Sequence, residues 1–201
     1  LFIETIKKYA SDGFNFLIIT GGGKICRNYN DSLKQIVNPS DENLDWLGIS
    51  ATRLNAEFTR ICFEDLAYEK VILDPDIIPK TDKPIIIGGG WKPGNSSDLA
   101  AVHGAKSLGA KKVINLSNID FVYDKDPKKN SDAKMIDKIS WGEFRKIIPK
   151  KWDPGINTPF DPVAAEEAES LGLEVVIMNG KNLGSLEAYL DGNAFVGTII
   201  K

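Results

Sequence analysis

Short apolar runs alternate with helical patterns along this chain. The runs are typical of buried parallel strands and occupy residues 14–20, 83–88, 111–117 and 173–179. Between them, apolar residues recur at helical spacing, as in Phe2, Ile6, Tyr9 and Ala10. Repetition of strand, helix and strand predicts an α/β fold, a three-layer α/β/α sandwich around a mostly parallel sheet.

The connections between these elements fit one domain spanning residues 1–201. The Pro-rich segment 73–84 is interpreted as a crossover within that domain, and segment 148–162, rich in Pro and Gly, as a mobile surface segment. A helix after Val163 is expected to end at Gly172. Leu1 enters a helix without a preceding strand, so we expect about one further strand and its loop upstream.

Composition narrows the classes of function. Of 201 residues, 42% are apolar, which is enough for a sizeable core, and the net charge of −3 argues against nucleic-acid binding driven by bulk electrostatics. No apolar run approaches the length of a membrane span, so no membrane association is expected. Cys26 and Cys62 do not resemble a metal or redox motif, and a reduced, cytoplasmic protein is expected.

Two glycine triplets follow two of the predicted strands. Gly21, Gly22 and Gly23 come after the first strand, and residues 88–90 come after the second. Ligands of open parallel sheets bind outside the carboxyl ends of the strands, where glycine allows close approach and a helix N-terminus offers bare N–H groups. The pair therefore favours a phosphate-bearing ligand, although glycine can also simply end a strand tightly.

Polar residues near these triplets have two interpretations each. Arg27 lies one helical turn after the first triplet, where it could reach a phosphate or be a plain surface residue. Ser96 and Ser97 are expected to cap a helix, and Asp98 either caps as well or orients a lysine or hydrated Mg²⁺. His103, the only histidine, is expected to serve packing or the surface.

Five motifs occur in the order seen in UMP kinases of the amino-acid kinase family, and the chain resembles that family's archaeal branch. They are GGGKICR, DWLGISATRLNA, GGGWKPGNSSD, SNIDFVYDKDP and GNAFVGTII, and they extend over nearly the whole chain. The resemblance implies a mostly parallel eight-stranded sheet and transfer of the γ-phosphate of ATP to UMP, giving UDP, with Mg²⁺. It also implies a homohexamer, a trimer of dimers.

The resemblance assigns roles by motif position. Asp98 matches a catalytic-centre aspartate that organises cationic groups. The positions matching UMP binding are Gly22, Asp45, Gly90, Trp91, Lys92, Pro93, Gly94, Asn95, Ser96 and Ser97. Those matching ATP binding are Gly23, Arg27, Ser117, Asn118, Tyr123 and Asp126. No residue is assigned to a protein-held metal ion.

The chain also departs from the family pattern. The family's early Lys-x-Gly-Gly loop is expected upstream of Leu1. Phe121 replaces a glycine and would be strained if its φ were positive. Trp91 stands where a small residue is commoner, to fill space or to stack on a base. Two alternatives stay open: a kinase of the same family with another small acceptor, and a nucleotide- or anion-binding member with weakened catalysis.

Overall fold

The computed structural model describes residues 1–150 and 158–201. Their contacts divide the chain into two units, Phe2–Gly109 and Ala110–Lys201, with Leu1 assigned to the second. The prediction of a single domain stays a prediction. Of the segment 148–162, predicted to be a mobile surface connection, residues 151–157 lie outside the described residues.

The first unit contains a parallel strand pair and four α-helices. Its elements in chain order are α1 (Phe2–Ser11), β1 (Phe16–Ile19), α2 (Gly23–Ile36), α3 (Asp41–Phe63), the 3₁₀ turn Glu64–Leu66, β2 (Ile85–Gly88) and α4 (Ser97–Leu108). The register of β1 on β2 runs from Phe16 opposite Ile85 to Ile19 opposite Gly88. Both strands therefore end beside each other, and the glycine loops begin at the same edge.

Sequence signals set the ends of the helices that matter for the site. Ser40 caps α3, its Oγ accepting a hydrogen bond from the Asn43 N–H at 3.2 Å. Ser96 caps α4 in the same way through the Leu99 N–H at 3.1 Å. Helix α4 ends at Gly109, which takes the left-handed conformation with φ of 65° that glycine adopts without a steric penalty.

The core of the first unit lies where α3 and α4 meet the strands. Ile85 and Ile87 of β2 are fully buried, as are Phe63 of α3 and Val102 of α4. A Cβ on Gly104 of α4 would collide with the Leu17 side chain of β1, so this glycine lets the helix approach the strand closely. Burial of these side chains fixes α3 and α4 relative to the strand ends.

The second unit is built on a mixed sheet. Its elements are β3 (Lys112–Ser117), β4 (Val122–Tyr123), β5 (Met135–Ile136), β6 (Lys138–Ile139), α5 (Trp141–Ile147), α6 (Pro162–Ser170), β7 (Glu174–Asn179), α7 (Leu183–Leu190) and β8 (Thr198–Ile200). The four-stranded sheet has the order β3-β7-β8-β6, and β4 pairs with β5 separately. Strands β3 and β7 are parallel and end together at Ser117 and Asn179.

The α/β class and the four predicted strands are confirmed, with ends trimmed by one to two residues. Parallel pairing holds for β1 with β2, β3 with β7 and β6 with β8, whereas β7–β8 and β4–β5 are antiparallel. The helix stop is also confirmed, since α6 ends at Ser170 and Gly172 has a φ of 61°. Among the described residues no helix is long and apolar enough to cross a membrane.

Candidate active site

The first glycine loop leads from β1 into α2 and leaves the main chain accessible. Gly23, the first residue of α2, has a φ of 56°, and a Cβ added there would meet nothing within 4 Å. The nearest atom to a Cβ on Gly21 would be Ser97 Oγ at 3.9 Å. Gly22 differs, because its Cβ would lie 2.5 Å from Cys26 Cβ. The loop thus presents open main chain at Gly21 and Gly23.

The second glycine loop is pressed against helix α3. A Cβ on Gly89 would lie 3.1 Å from Arg53 Cα. A Cβ on Gly90 would collide with Thr52 Oγ1 and lie 2.9 Å from Ile49 Cα. The Gly90 N–H donates to Thr52 Oγ1 at 2.7 Å. The close approach of α3 therefore explains glycine at position 90 and makes position 89 tight, without any need for ligand space there.

Helix α3 joins the two loops. Asn55 Nδ2 donates to the Gly21 carbonyl at 2.7 Å, and Thr20 Oγ1, just before the first triplet, donates to the Thr52 carbonyl at 2.9 Å. Two turns earlier, Asp45 Oδ2 accepts a hydrogen bond from the Gly94 N–H at 2.8 Å. The residues matched to UMP binding, Gly22 and Asp45 together with the loop from Gly90 to Ser97, are thus brought together around one helix.

Trp91 is held in place by its neighbours. Its ring centroid lies 4.9 Å from that of His103, and Lys92 Nζ lies 3.9 Å from the centre of the indole. His103 Nδ1 is 2.8 Å from Asp76 Oδ1, so the predicted packing role of His103 fits what is observed. These contacts favour the interpretation of Trp91 as a space-filling anchor of the loop.

The residues at the start of α4 divide into a cap and two further groups. Ser96 is the N-cap, which confirms its capping interpretation. Ser97 is exposed, and its hydroxyl is the one nearest Gly21. Asp98 is half-buried in the first turn of the helix, where the helix dipole favours a carboxylate. The rest of the predicted loop, Pro93 and Asn95, is half-buried, and Asn95 Nδ2 donates to the Pro93 carbonyl at 3.0 Å.

Arg27 and Cys26 lie on the first turn of α2. The Arg27 side chain is exposed, one turn beyond the open glycine positions. Burial raises the pKa of the Cys26 thiol, the Arg27 cation opposes that shift, and the Asp45 carboxylate adds to it. Both charges therefore act on the region beside Gly22. The Arg27 cation favours binding of an anion there, and the Asp45 carboxylate opposes it.

In the second unit, the residues matched to ATP binding follow strand ends. Ser117 ends β3, Asn118 is exposed beyond it, and Tyr123 is half-buried in β4. Asp126 Oδ1 accepts a hydrogen bond from the Lys128 N–H at 2.9 Å, which shapes the loop after β4. The expectation of strain at Phe121 is not met, because Glu64 is the only non-glycine residue at positive φ among the described residues.

Sequence reasoning assigned no role to several residues that shape these loops. In the first unit they are Thr52, Arg53 and Asn55, visible in the sequence only as part of the motif TRLNA. In the second, Asn179 at the end of β7 donates to Asp120 Oδ1 at 3.0 Å, and the Gly180 N–H donates to the Ser117 carbonyl at 2.9 Å. Their position directly after an apolar strand was the available signal.

Chemically, the first unit offers main-chain amides, two hydroxyls, a cation and a carboxylate around α3. Such a set suits a phosphate ester. The amides, hydroxyls and cation can bind the phosphate, and the carboxylate can bind a polar group elsewhere on the same molecule. Within residues 1–150 and 158–201, no group of three or more His, Cys, Asp or Glu residues could hold a metal ion.

Comparison with known proteins gives one consistent result. The model of the amino acid kinase family matches residues 1–179. The chain is 32% identical to a uridylate kinase of Sulfurisphaera tokodaii over 98% of this chain and 88% of that protein, and 36% identical to one of Staphylothermus marinus over 97% and 90%. The crystal structure of a uridylate kinase from Archaeoglobus fulgidus superposes with a TM-score of 0.83 at 29% identity, covering 100% of this chain and 90% of that one. The chain belongs to the amino acid kinase family.

Proposed function

We propose that this chain is a uridylate kinase, which transfers the γ-phosphate of ATP to UMP and releases UDP and ADP. The observation that carries the proposal is the convergence of both glycine loops on α3, with Asp45 hydrogen-bonded to the Gly94 amide. Two motifs far apart in sequence, each matched to UMP binding, thereby form one polar region in the first unit.

In the proposed acceptor site, different residues bind the two ends of UMP. The Asp45 carboxylate binds the ribose, since hydroxyls are its natural donors. Gly22, between the open main-chain positions Gly21 and Gly23, is proposed to face the polar groups of the nucleotide together with the hydroxyls of Ser96 and Ser97, and the loop from Gly90 to Asn95 wraps it. Ser96 Oγ already accepts the Leu99 N–H, so its hydroxyl hydrogen is what it can offer to an oxygen.

Within the first unit, Gly23 and Arg27 are the proposed ATP-binding residues. Within the second unit, the proposed ATP-binding residues are Ser117, Asn118, Tyr123 and Asp126. Arg27 carries a fixed charge on an exposed guanidinium, which can bind phosphate oxygens in bidentate fashion. Gly23 and the N-terminus of α2 supply main-chain N–H groups to the same kind of oxygen. These contacts neutralise charge on the transferred group.

Little covalent chemistry is needed for this reaction. A phosphate oxygen of UMP attacks the γ-phosphorus of ATP, and the bond to the β-γ bridging oxygen breaks as ADP leaves. The chain's contribution is to hold two anionic groups in line and to offset their repulsion. Asp98 acts by orienting neighbouring cationic groups. Mg²⁺, in this proposal, arrives with ATP and supplies further neutralisation of phosphate charge.

A homohexamer built from dimers is part of the proposal. Helix α3 carries exposed apolar side chains at helical spacing, with exposed fractions of 45% for Trp46, 60% for Leu54, 70% for Phe58 and 59% for Ile61. A stripe of this kind is what a helix pair between subunits would bury. Light scattering after gel filtration tests this proposal. We expect a mass about six times that of the chain, and a lower mass for Phe58→Glu.

A cytoplasmic location and the absence of nucleic-acid or membrane partners complete the proposal.

The experiment is an acceptor screen with ATP and Mg²⁺. We expect UMP to be phosphorylated to UDP, and at a higher rate than CMP, carbamate or isopentenyl phosphate is phosphorylated. Asp98→Asn should lower kcat by about 10²-fold, the magnitude typical of a lost electrostatic group at the reacting centre. Asp31→Asn, an exposed carboxylate change on α2, is the matched control and should leave kcat unchanged. Turnover of another acceptor without turnover of UMP contradicts the proposal.

A further inference from the structure

One turn of α3 touches both glycine loops without belonging to either. We call this turn, Thr52 to Asn55, the loop bracket. Its side chains make hydrogen bonds to the main chain of Gly21, Gly90 and Trp91. None of its residues is among those matched to nucleotide binding, so the proposed function leaves its chemistry unused.

Arg53 binds two successive carbonyl groups of the wrapping loop. Its Nε donates to the Gly90 carbonyl and its Nη2 to the Trp91 carbonyl, each at 3.0 Å. The guanidinium is planar and presents its donors in a fixed fork. Two carbonyls bound by one fork cannot rotate independently, so the loop is fixed over two consecutive peptide groups.

The direction of these carbonyls determines the direction of the next amides. In a trans peptide the C=O and the following N–H point to opposite sides. The N–H groups of Trp91 and Lys92 are therefore turned away from Arg53, and within the described part of the chain neither donates a hydrogen bond. Arg53 thus leaves two adjacent donors of the wrapping loop available to a bound molecule.

The remaining members of the loop bracket act on the neighbouring peptide groups. Thr52 Oγ1 accepts the Gly90 N–H at 2.7 Å and donates to the Ile49 carbonyl at 2.7 Å, so its hydroxyl is fully engaged. Asn55 Nδ2 holds the Gly21 carbonyl at 2.7 Å, which by the same geometry turns the Gly22 N–H away from Asn55. One helical turn therefore orients peptide groups in both loops.

We infer that Arg53 is a positioning residue for the acceptor nucleotide, acting through the main chain of Gly90 and Trp91 within the loop bracket. This inference rests on the proposed function for the identity of the acceptor. The competing explanation is that Arg53 simply supplies positive charge near an anion. The two differ over lysine, which keeps the charge but lacks the fork that spans two carbonyls.

Steady-state kinetics of the full chain separate these explanations. Arg53→Lys is expected to raise KM for UMP about tenfold or more, while kcat and KM for ATP change less than about threefold, because a lost charged hydrogen bond weakens one loop only. Arg60→Lys is the matched control: Arg60 lies two turns further along α3 and forms an ion pair with Glu57, with Nη2 to Oε1 at 2.6 Å. It should leave all three constants unchanged.

A second readout needs no catalysis. Amide hydrogen exchange of nucleotide-free protein should be faster over residues 88–95 in Arg53→Lys than in wild type or Arg60→Lys, with other peptides unchanged. Should Arg53 variants fail to fold, Thr52→Val carries the same test. It keeps the side-chain volume, removes the acceptor of the Gly90 N–H, and should give the same faster exchange and higher KM for UMP.

The outcomes are distinct. Wild-type KM for UMP and wild-type exchange in Arg53→Lys overturn the inference, as does a fall in kcat with KM unchanged. Failure of the wild-type chain to phosphorylate UMP overturns the proposed function instead. In that case the exchange experiment still decides whether Arg53 orders the loop.

Discussion

The two glycine triplets look alike in sequence and are glycine for different reasons. In the first, Gly23 combines a φ of 56° with empty space around its missing Cβ, and Gly21 is also open. In the second, Gly89 and Gly90 are packed so closely on α3 that a methyl group would strike Arg53, Thr52 or Ile49. In the first loop Gly21 and Gly23 are open and Gly22 packs on Cys26, whereas in the second loop Gly89 and Gly90 both pack on α3.

This difference shows that a glycine run after a strand does not by itself identify a ligand contact. Glycine permits close approach of any atom, whether it belongs to a ligand or to the protein. At Gly90 the approaching group is the hydroxyl of Thr52, which also binds the Gly90 amide. The second triplet therefore supports the proposed acceptor site by placing the wrapping loop, and the first by leaving main chain exposed.

The largest loss of stability among the glycine variants is expected from Gly90→Ala, in the closely packed second triplet. The new Cβ would collide with Thr52 Oγ1 and meet the Ile49 backbone at 2.9 Å, and a helix backbone cannot yield cheaply. We expect the free energy of unfolding to fall by about 2–3 kcal/mol, as for other overpacked positions, measured by urea denaturation. Gly94→Ala is the control, with open space but a φ of 75°. A loss at Gly90 no larger than at Gly94 would contradict the packing explanation.

Gly23→Ala should have an intermediate effect. Space is open at this position, so only the backbone conformation opposes a side chain. We expect a loss of about 1 kcal/mol in the free energy of unfolding, since L-residues pay that much for a left-handed conformation. Gly23→Asn should recover part of the loss because asparagine tolerates this region better. Equal losses for alanine and asparagine would show that contact, and not φ, governs the position.

Gly21→Ala is expected to leave stability nearly unchanged. The nearest atom to its Cβ would be Ser97 Oγ at 3.9 Å, an ordinary contact, and its φ is not positive. We expect a change within about 0.5 kcal/mol in the free energy of unfolding, typical of an unconstrained surface site. A raised KM for UMP in this stable variant would then report a methyl group occupying nucleotide space. An unchanged KM would show that the nucleotide does not occupy the open space beside Gly21.

The smallest effect is expected at Cys26, whose thiol reports on the surroundings of the first glycine loop. Burial raises the pKa of its thiol, so less reactive thiolate is present at a given pH than for a free cysteine. Alkylation of Cys26 in a Cys62→Ser background should therefore be slow, should quicken only above the ordinary thiol range, and should slow further with UMP. Because the folded pKa lies above the unfolded one, the group's contribution to stability declines as pH rises through that range. Alkylation as fast as that of a small-molecule thiol would contradict this.

The sequence was sufficient for the elements that periodicity controls. Strands β1, β2, β3 and β7 are short and apolar throughout, which is what parallel strands covered by helices require. The cap at Ser96 is likewise a local feature, since its hydroxyl oxygen accepts a hydrogen bond from an amide three residues ahead. Signals of this kind lie within one or two turns of chain and do not depend on tertiary contacts.

What lay beyond sequence reasoning depends on contacts distant in the chain. Strands β4, β5 and β6 have two residues each, too few to show alternation. Strand β8, antiparallel to β7 and parallel to β6, forms the end of a motif noticed only through its resemblance. Arg53 could not be assigned because its partners are 37 and 38 residues away. Strain at Phe121 was expected only for a positive φ, and Phe121 does not have one.

Helix α3 carries Asp45, Thr52, Arg53 and Asn55, and so it fixes their spacing and direction in the proposed acceptor site. One inserted residue between Asp45 and Asn55 would turn everything beyond it by about 100° and move it along the axis by about 1.5 Å. The contacts to Gly94 and to the triplets could then not form together. Insertions should be excluded from this stretch of the chain and accepted near the exposed Lys80, in the irregular part of the connection before β2, where no such periodicity applies.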